Sequence, residues 1–267
     1  MDKQFVSTFL RKLNLIKPAD RVRFYVNYLK TYKRRKHFFS ENPGVKLPPP
    51  HYVYETFNLD YFAFYNDSIE TAKWLLSFFQ KHKTLQNVTI MDWGCGPGRI
   101  IRHMPYYTDA TCSFYGCDYN KKYIDWCSKN IPGVKFLKNE LAPPVALPDK
   151  SVDIIYGISI FTHLSEKMHT AWFDELMRLL RPGGILFITL HGNAFKSKLN
   201  EEERHRFENG RLVTKANTRE GHRTFAAYQP ESYIRELAEP HEILEHHPGD
   251  IANGKPQQDI WIIRKNE

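Results

Sequence analysis

An α/β fold built on a mostly parallel sheet, with helices on both faces, follows from three features of the sequence. Five apolar runs of four to eight residues recur between residues 88 and 191, with helix-forming stretches between them. The first run ends in an acid, and glycines then occupy alternate positions in Asp92-Trp-Gly94-Cys-Gly96-Pro-Gly98. Beyond residue 240 two more apolar runs follow without a long helix between them. They bring the sheet to seven strands in a Rossmann-like arrangement, with an antiparallel edge strand from that last pair.

The elements follow in order. Phe5, Phe9 and Leu13 share one side of a short helix. From Pro18 to about His37, Val22, Tyr25, Leu29 and Tyr32 recur at helical spacing, with Arg21, Arg23, Lys30, Lys33, Arg34 and Lys36 among them. The segment Glu41–Pro50 (ENPGVKLPPP) ends regular structure, because proline fixes φ and removes a donor. Residues 1–50 are therefore expected to form a basic helical extension with a Pro-rich linker, and residues 51–267 the main domain. The aromatic stretch Tyr52–Tyr65 is either core or a cover over a ligand. A helix is expected from Asp67 or Ser68 as cap, with Ile69, Ala72, Leu76 and Phe79 facing inward.

The expected strands are Val88–Trp93, Ser113–Asp118, Val134–Leu137, Val152–Ser159, Ile185–His191, His241–His247 and Gln258–Arg264. Helices are expected near Arg99–Met104, Asn120–Lys129, Glu166–Leu180 and Pro230–Ala238. The polar stretch Lys196–Gly221 falls inside an insertion, residues 192–228.

Charge is unevenly spread. The chain of 267 residues carries 38 Lys and Arg against 30 Asp and Glu, yet the first forty residues hold 11 basic and 2 acidic groups. The remainder has a balance of −1, so a uniformly basic nucleic-acid binder is disfavoured. No apolar run approaches the ~20 residues that span a bilayer. Asp2, Lys3, Arg11 and Lys12 make the opening a poor signal peptide. Cys95, Cys112, Cys117 and Cys127 form no C-x-x-C pair, which fits reduced thiols, a cytoplasmic location and no metal site.

The glycine loop carries the chemistry. A buried strand ending in an acid, then glycines, lets a ligand approach the backbone closely. The spacing is G-x-G-x-G; Arg99 stands where the dinucleotide fingerprint has its last glycine, and there is no G-K-[ST] for a P-loop. Asp118 ends the next strand, where nucleoside-binding sheets place an acid on the ribose hydroxyls.

Residues 50–267 resemble the class I S-adenosylmethionine-dependent methyltransferases. Asp92-x-Gly94-x-Gly96-x-Gly98 is similar to the family's first motif, in which the glycines pack against the methionine and ribose portion and the acid supports the amino group or its water shell. The resemblance implies S-adenosylmethionine as cofactor and S-adenosylhomocysteine as product. It implies Asp118 on the ribose, Tyr119 against adenine, and Asn139 or Glu140 near the adenine amino group. Arg99, Leu141 and Ser159 complete the expected cofactor set. Leu147-Pro148, Ser151–Tyr156 and Leu180-Arg-Pro-Gly-Gly184 resemble later family signatures. Phe161-Thr-His163-Leu, His191-Gly192 and Gln258–Arg264 resemble a subgroup associated with glycans and small molecules, which implies a small-molecule or glycan acceptor and an acceptor-side role for residues 192–228.

Methyl transfer from a sulfonium is an in-line displacement, and a hydroxyl acceptor also needs a base. His163 and His191 follow strand ends that open onto the ligand crevice and are the candidates. The plainer alternatives are a helix cap or a hold on Ser159 and Thr162 for His163, and a backbone-bonded strand end for His191. His222 and Arg223 are weaker acceptor-pocket candidates. Ser159 and His191-Gly-Asn193 replace the acids that a metal-dependent catechol-type site wants, and Gly157-Ile-Ser159 replaces the Asn/Asp-Pro-Pro-aromatic turn of base amino-methylation.

Residues 18–37 have three readings: a homodimer or other interface face, a contact with an anionic membrane or lipid-linked substrate, and, last, nucleic acid. The leading function is O-methylation of a small, polar or sugar-containing acceptor. A macromolecule-directed methyltransferase docked through the basic helix, acting on protein or RNA, and a non-catalytic cofactor-binding scaffold are the alternatives.

Overall fold

The computed structural model describes residues 16–215, 220–222 and 224–267. The helix expected around Phe5, Phe9 and Leu13 lies outside the described residues, as does Arg223. The chain divides into two compact units, Met1–Thr71 and Ala72–Glu267.

The first unit contains helices α1 (Ile16–Lys30), α2 (Tyr32–Glu41) and α3 (Pro50–Phe57), and the first half of α4 (Tyr61–His82). Its core is Phe38, Val53, Leu59, Tyr61 and Phe64, so the aromatic stretch supplies most of it. The rings meet edge-on, as in Phe38–Tyr61 at 6.0 Å and Phe57–Phe64 at 5.7 Å. Helix α4 starts at Tyr61 rather than at Asp67 or Ser68. Asp60 takes the cap by accepting the Ala63 N–H at 3.2 Å, and the Ser68 hydroxyl donates to the Phe64 carbonyl inside the helix. The stripe Val22, Tyr25, Leu29 and Tyr32 does not face this core. Phe24 and Tyr28 pack inward instead, with Phe24 edge-on to Tyr54 at 5.2 Å.

The second unit is built on a seven-stranded sheet. Its strands are β1 (Thr89–Trp93), β2 (Ser113–Asp118), β3 (Lys135–Lys138), β4 (Val152–Gly157), β5 (Leu180–Leu190), β8 (Glu242–His247) and β11 (Asp259–Arg264). Their order is β3-β2-β1-β4-β5-β11-β8. β1 to β5 run parallel; β11 is antiparallel to both β5 and β8. The reversed strand therefore lies one place inside the edge, which β8 occupies.

Both faces are covered. Met91, Ile155, Leu186 and Trp261 join Trp172 and Leu176 of α6 (Glu166–Leu179) on one face. Ile90, Ile154, Phe187 and Ile262 join Ala72, Leu76 and Phe79 of α4 on the other. Adjacent strand residues thus enter opposite cores, which is why these strands read as continuous apolar runs. Burial of α5 (Lys121–Asn130) rests on Ile124 and Cys127, and the Asn120 side chain caps it.

Two local expectations change. The segment after the glycine loop is a 3₁₀ turn, Ile101–Tyr106, not an α-helix from Arg99; Pro105 has no N–H to give an α-helical bond. β5 begins five residues early because Leu180 already pairs with Val152. The polar insertion carries secondary structure of its own. Asn200 and Glu203 form a reciprocal capping box on α7 (Glu201–Glu208), and β6 (Val213–Lys215) pairs antiparallel with β7 (Ala226–Tyr228). Helix α8 (Glu231–Ala238) and the short hairpin of β9 (Ile251–Ala252) and β10 (Lys255–Pro256) complete the chain.

Trp261 is 1% exposed on the reversed strand and stacks on the His246 ring at 3.7 Å. Trp261→Ala should cost about 3–5 kcal/mol in urea unfolding, from lost burial plus the cavity left behind.

Candidate active site

The strand order reverses between β1 and β4, and the crevice at such a point opens outside the strand C-termini. The loop leaving β1 is shaped there by glycine. Gly94 and Gly96 hold φ of +76° and +52°, which L side chains seldom adopt. A Cβ on Gly94 would stand 2.2 Å from the Ile160 side chain, whereas one on Gly96 would meet nothing within 4 Å. Gly94 answers a packing need; Gly96 leaves its backbone open to a ligand.

Backbone bonds fix the loop. The N–H groups of Gly94 and Cys95 both donate to the Cys117 carbonyl at 2.9 Å. The Asp118 carboxylate accepts the Gly96 N–H at 2.9 Å and the Asn120 N–H at 2.7 Å. It ties the glycine loop to the start of α5 and keeps further lone pairs. Burial pushes the Asp118 carboxyl upward in pKa, and the Asn120 and Gly96 N–H groups pull it part of the way back.

Asp92 is 4% exposed at the end of β1. Burial pushes its pKa up to about 7, against the opposing pull of the Tyr156 hydroxyl and Arg99, while Asp118 adds to the rise. A cationic group entering beside Asp92 would favour its ionised form.

A cavity of about 450 Å³, counting its open mouth, lies against this loop. Its walls include Gly94, Asp118, Tyr119, Asn139, Glu140, Leu141 and His163, all expected from the sequence. Trp93, Ile160, Leu164, Trp172 and Gly221 line it too and were not foreseen. The Asn139 amide donates to the Glu140 carbonyl, but its buried Oδ1 has no hydrogen-bond partner among the described residues. Glu140 is exposed and pairs with Lys138. The Tyr119 hydroxyl donates to the Gly221 carbonyl at 3.0 Å, and the Gly221 N–H donates to the His163 carbonyl at 2.9 Å. The insertion thus forms one wall.

Asp92, Gly96, Gly98, Arg99, Ser159 and His191 do not line this cavity. Ser159 takes a left-handed φ of 62° at the end of β4, and its hydroxyl receives the Gln258 amide at 2.7 Å. Thr189 in turn receives the Ser159 N–H and donates to Gln258. His222 is exposed and bonds Thr224.

The two histidines share one support. His163 Nδ1 lies 2.8 Å from the Phe225 carbonyl and His191 Nδ1 lies 3.1 Å from the Ala227 carbonyl. A carbonyl only accepts, so each ring holds its proton on Nδ1 and keeps an Nε2 lone pair. Burial lowers His191 to about 4; the Ala227 bond opposes this and the His163 charge adds to it. Gln229, 1% exposed and unforeseen, braces the pair. It exchanges hydrogen bonds with the His191 backbone and donates to the Phe161 carbonyl and to His169 Nε2. Nothing in the Gln-Pro sequence around it marks that role.

Among the described residues no group of three or more His, Cys, Asp or Glu could hold a metal ion. All four cysteines are free thiols, and burial raises Cys95, Cys117 and Cys127.

Residues 90–184 match the family described as methyltransferase domain. The chain is 34% identical over 104 residues to trans-aconitate 2-methyltransferase of Rhizobium rhizogenes, 39% of this chain and 38% of that protein. It is 31% identical over 153 residues to tRNA (carboxymethyluridine(34)-5-O)-methyltransferase of Arabidopsis thaliana, 55% of this chain and 34% of that one. The chain therefore spans well under two thirds of these curated relatives. Among solved structures, a SAM-dependent methyltransferase from Methanosarcina mazei superposes with a TM-score of 0.54 at 20% identity, over 71% of this chain and 97% of that one. A second, from Mesorhizobium loti, gives 0.52 at 14% identity, over 72% and 97%. Residues 90–184 are thus similar to a methyltransferase domain, and the sheet that contains them has the Rossmann-like fold of these solved structures. Both solved neighbours are named as methyltransferases dependent on S-adenosylmethionine, the methyl donor.

The site residues fit this donor. The orphaned Asn139 Oδ1 would accept from an exocyclic amino group and the Asp118 carboxylate from ribose hydroxyls, beside the open backbone at Gly96. Gly96→Arg, which fills that space, should abolish S-adenosylmethionine binding in calorimetry. Asp92 gives a pH signature. A donor ammonium placed beside Asp92 would favour its carboxylate, so affinity should then rise with pH toward about 7, with proton uptake by buffer on binding below it. Asp92→Asn should remove the proton release, measured in buffers of different ionisation enthalpy.

Proposed function

We propose that the chain is an S-adenosylmethionine-dependent O-methyltransferase for a small polar acceptor, sugar-containing ones included, with His163 as general base. One observation carries this reading. His163 stands on the wall of the cavity that Gly94 and Asp118 also line, with its Nδ1 proton held by the Phe225 carbonyl. Its Nε2 is the basic nitrogen.

The chemistry follows from that tautomer. As the acceptor oxygen bonds to the methyl carbon, the carbon–sulfur bond breaks and S-adenosylhomocysteine leaves. The hydroxyl proton passes to His163 Nε2. Burial holds His191 near 4, and it does not line the cavity. Its ring packs on Phe195 at 4.1 Å and Tyr228 at 5.5 Å, which suits a positioning residue. The small-molecule relative, trans-aconitate 2-methyltransferase, supports an acceptor of this size.

His163→Ala should leave the donor's Kd within a few-fold and lower kcat by roughly 10²–10⁴. His191→Ala should lower kcat less. Equal loss of donor binding in His163→Ala would mean a structural role instead.

The tRNA relative supports a second reading, a macromolecular acceptor, and a cofactor-binding scaffold is a third. Transfer of labelled methyl groups into fractionated extract separates them. Label in small polar molecules supports the first reading, label in RNA or protein the second, and donor binding without any product the third.

A further inference from the structure

We propose that the outward face of α1 and the start of α2 docks on an anionic lipid surface. Val22, Tyr25, Leu29 and Tyr32 are 63%, 59%, 75% and 60% exposed, and Val26 is 42% exposed. Positions three and four residues apart share one helix face, so these side chains form a continuous apolar strip. Phe24 and Tyr28, on the opposite side, already satisfy the helix's need for a core. The strip is therefore surplus to folding of this unit.

Charge says what covers it. Residues 16–41 carry eight Lys and Arg against Asp20 and Glu41. Arg23 and Lys30 fall along one border of the strip by helical spacing and Arg21 along the other, all exposed. A second copy would bring two such strongly basic faces together, which repels. Nucleic acid would meet the charges but leave Val22 and Leu29 in water. An anionic leaflet satisfies both parts at once: aliphatic side chains enter the acyl boundary, tyrosines sit at headgroup level, and lysines and arginines meet the lipid phosphates. Among the described residues no helix is long and apolar enough to cross a membrane, so the segment would lie on the surface.

Sedimentation of the full chain with vesicles tests this. Binding is expected to phosphatidylcholine vesicles with about 30% phosphatidylglycerol and not to phosphatidylcholine alone, falling in about 0.5 M salt. Val22→Glu with Leu29→Glu should cut the bound fraction about tenfold at an unchanged melting temperature. Lys30→Glu with Lys33→Glu, which leaves the apolar strip intact, should do the same and stands in if the first pair disturbs folding. Absence of binding to the anionic vesicles overturns the proposal. So does binding that both variants retain. A dimer in light scattering that Val22→Glu/Leu29→Glu dissolves, without vesicle binding, assigns the strip to a second copy. Binding of poly(U) RNA in place of vesicles assigns the charges to nucleic acid.

Discussion

The Asp118 carboxylate is the joint on which the cofactor end of the site depends. It is nearly buried, and its two oxygens take the Gly96 and Asn120 N–H groups. Those bonds hold the loop after β1 and the cap of α5 in one register. A buried carboxylate is tolerated because its hydrogen bonds repay part of the lost hydration. The same group that shapes the loop is left with lone pairs facing the cavity. Structure and recognition therefore use one side chain, and neither can be altered alone.

The acceptor end has a different logic. There the ring nitrogens of His163 and His191 are set by carbonyls two residues apart, at Phe225 and Ala227. On an extended chain such carbonyls point to the same side, so one short segment fixes two tautomers. Gln229 continues that segment into the core and binds His169, which burial keeps neutral. The insertion thus acts as a brace that orients catalytic candidates, and Gly221 carries it across to Tyr119. Burial separates the two imidazoles by function: one remains at the cavity wall, and the other is held near a pKa of about 4 among aromatic rings.

Much of the sheet was legible because its signal is local. Ser113–Asp118 has the expected bounds, and the other principal strands differ chiefly at their ends. A strand buried on both faces needs an unbroken apolar run, and nothing else in a polar sequence looks like that. The start of α4 was misjudged because Asp60 and Asp67 are equal as cap formers; only the packing of Tyr61 and Phe64 below Asp60 chooses between them. Gln229 was invisible for a related reason. Its partners lie 60 and 68 residues away in His169 and Phe161, and a lone glutamine carries no periodic signature.

The α1 stripe marks the same limit from the other side. Helical spacing correctly grouped Val22, Tyr25, Leu29 and Tyr32 on one face, since i, i+3 and i+4 relations are local geometry. Which of two apolar faces turns inward is a tertiary choice, and Phe24 and Tyr28 took it by packing against Tyr54 and the aromatic core. The sequence alone determined the strand order's ingredients, the glycine loop, the two acids and the location of the charge. Only the tertiary structure decided which imidazole reaches the cavity, which nitrogen bears its proton, and which face of the basic helix meets solvent. Those are questions of long-range packing and burial, where partners are set by the fold and not by neighbours in the chain.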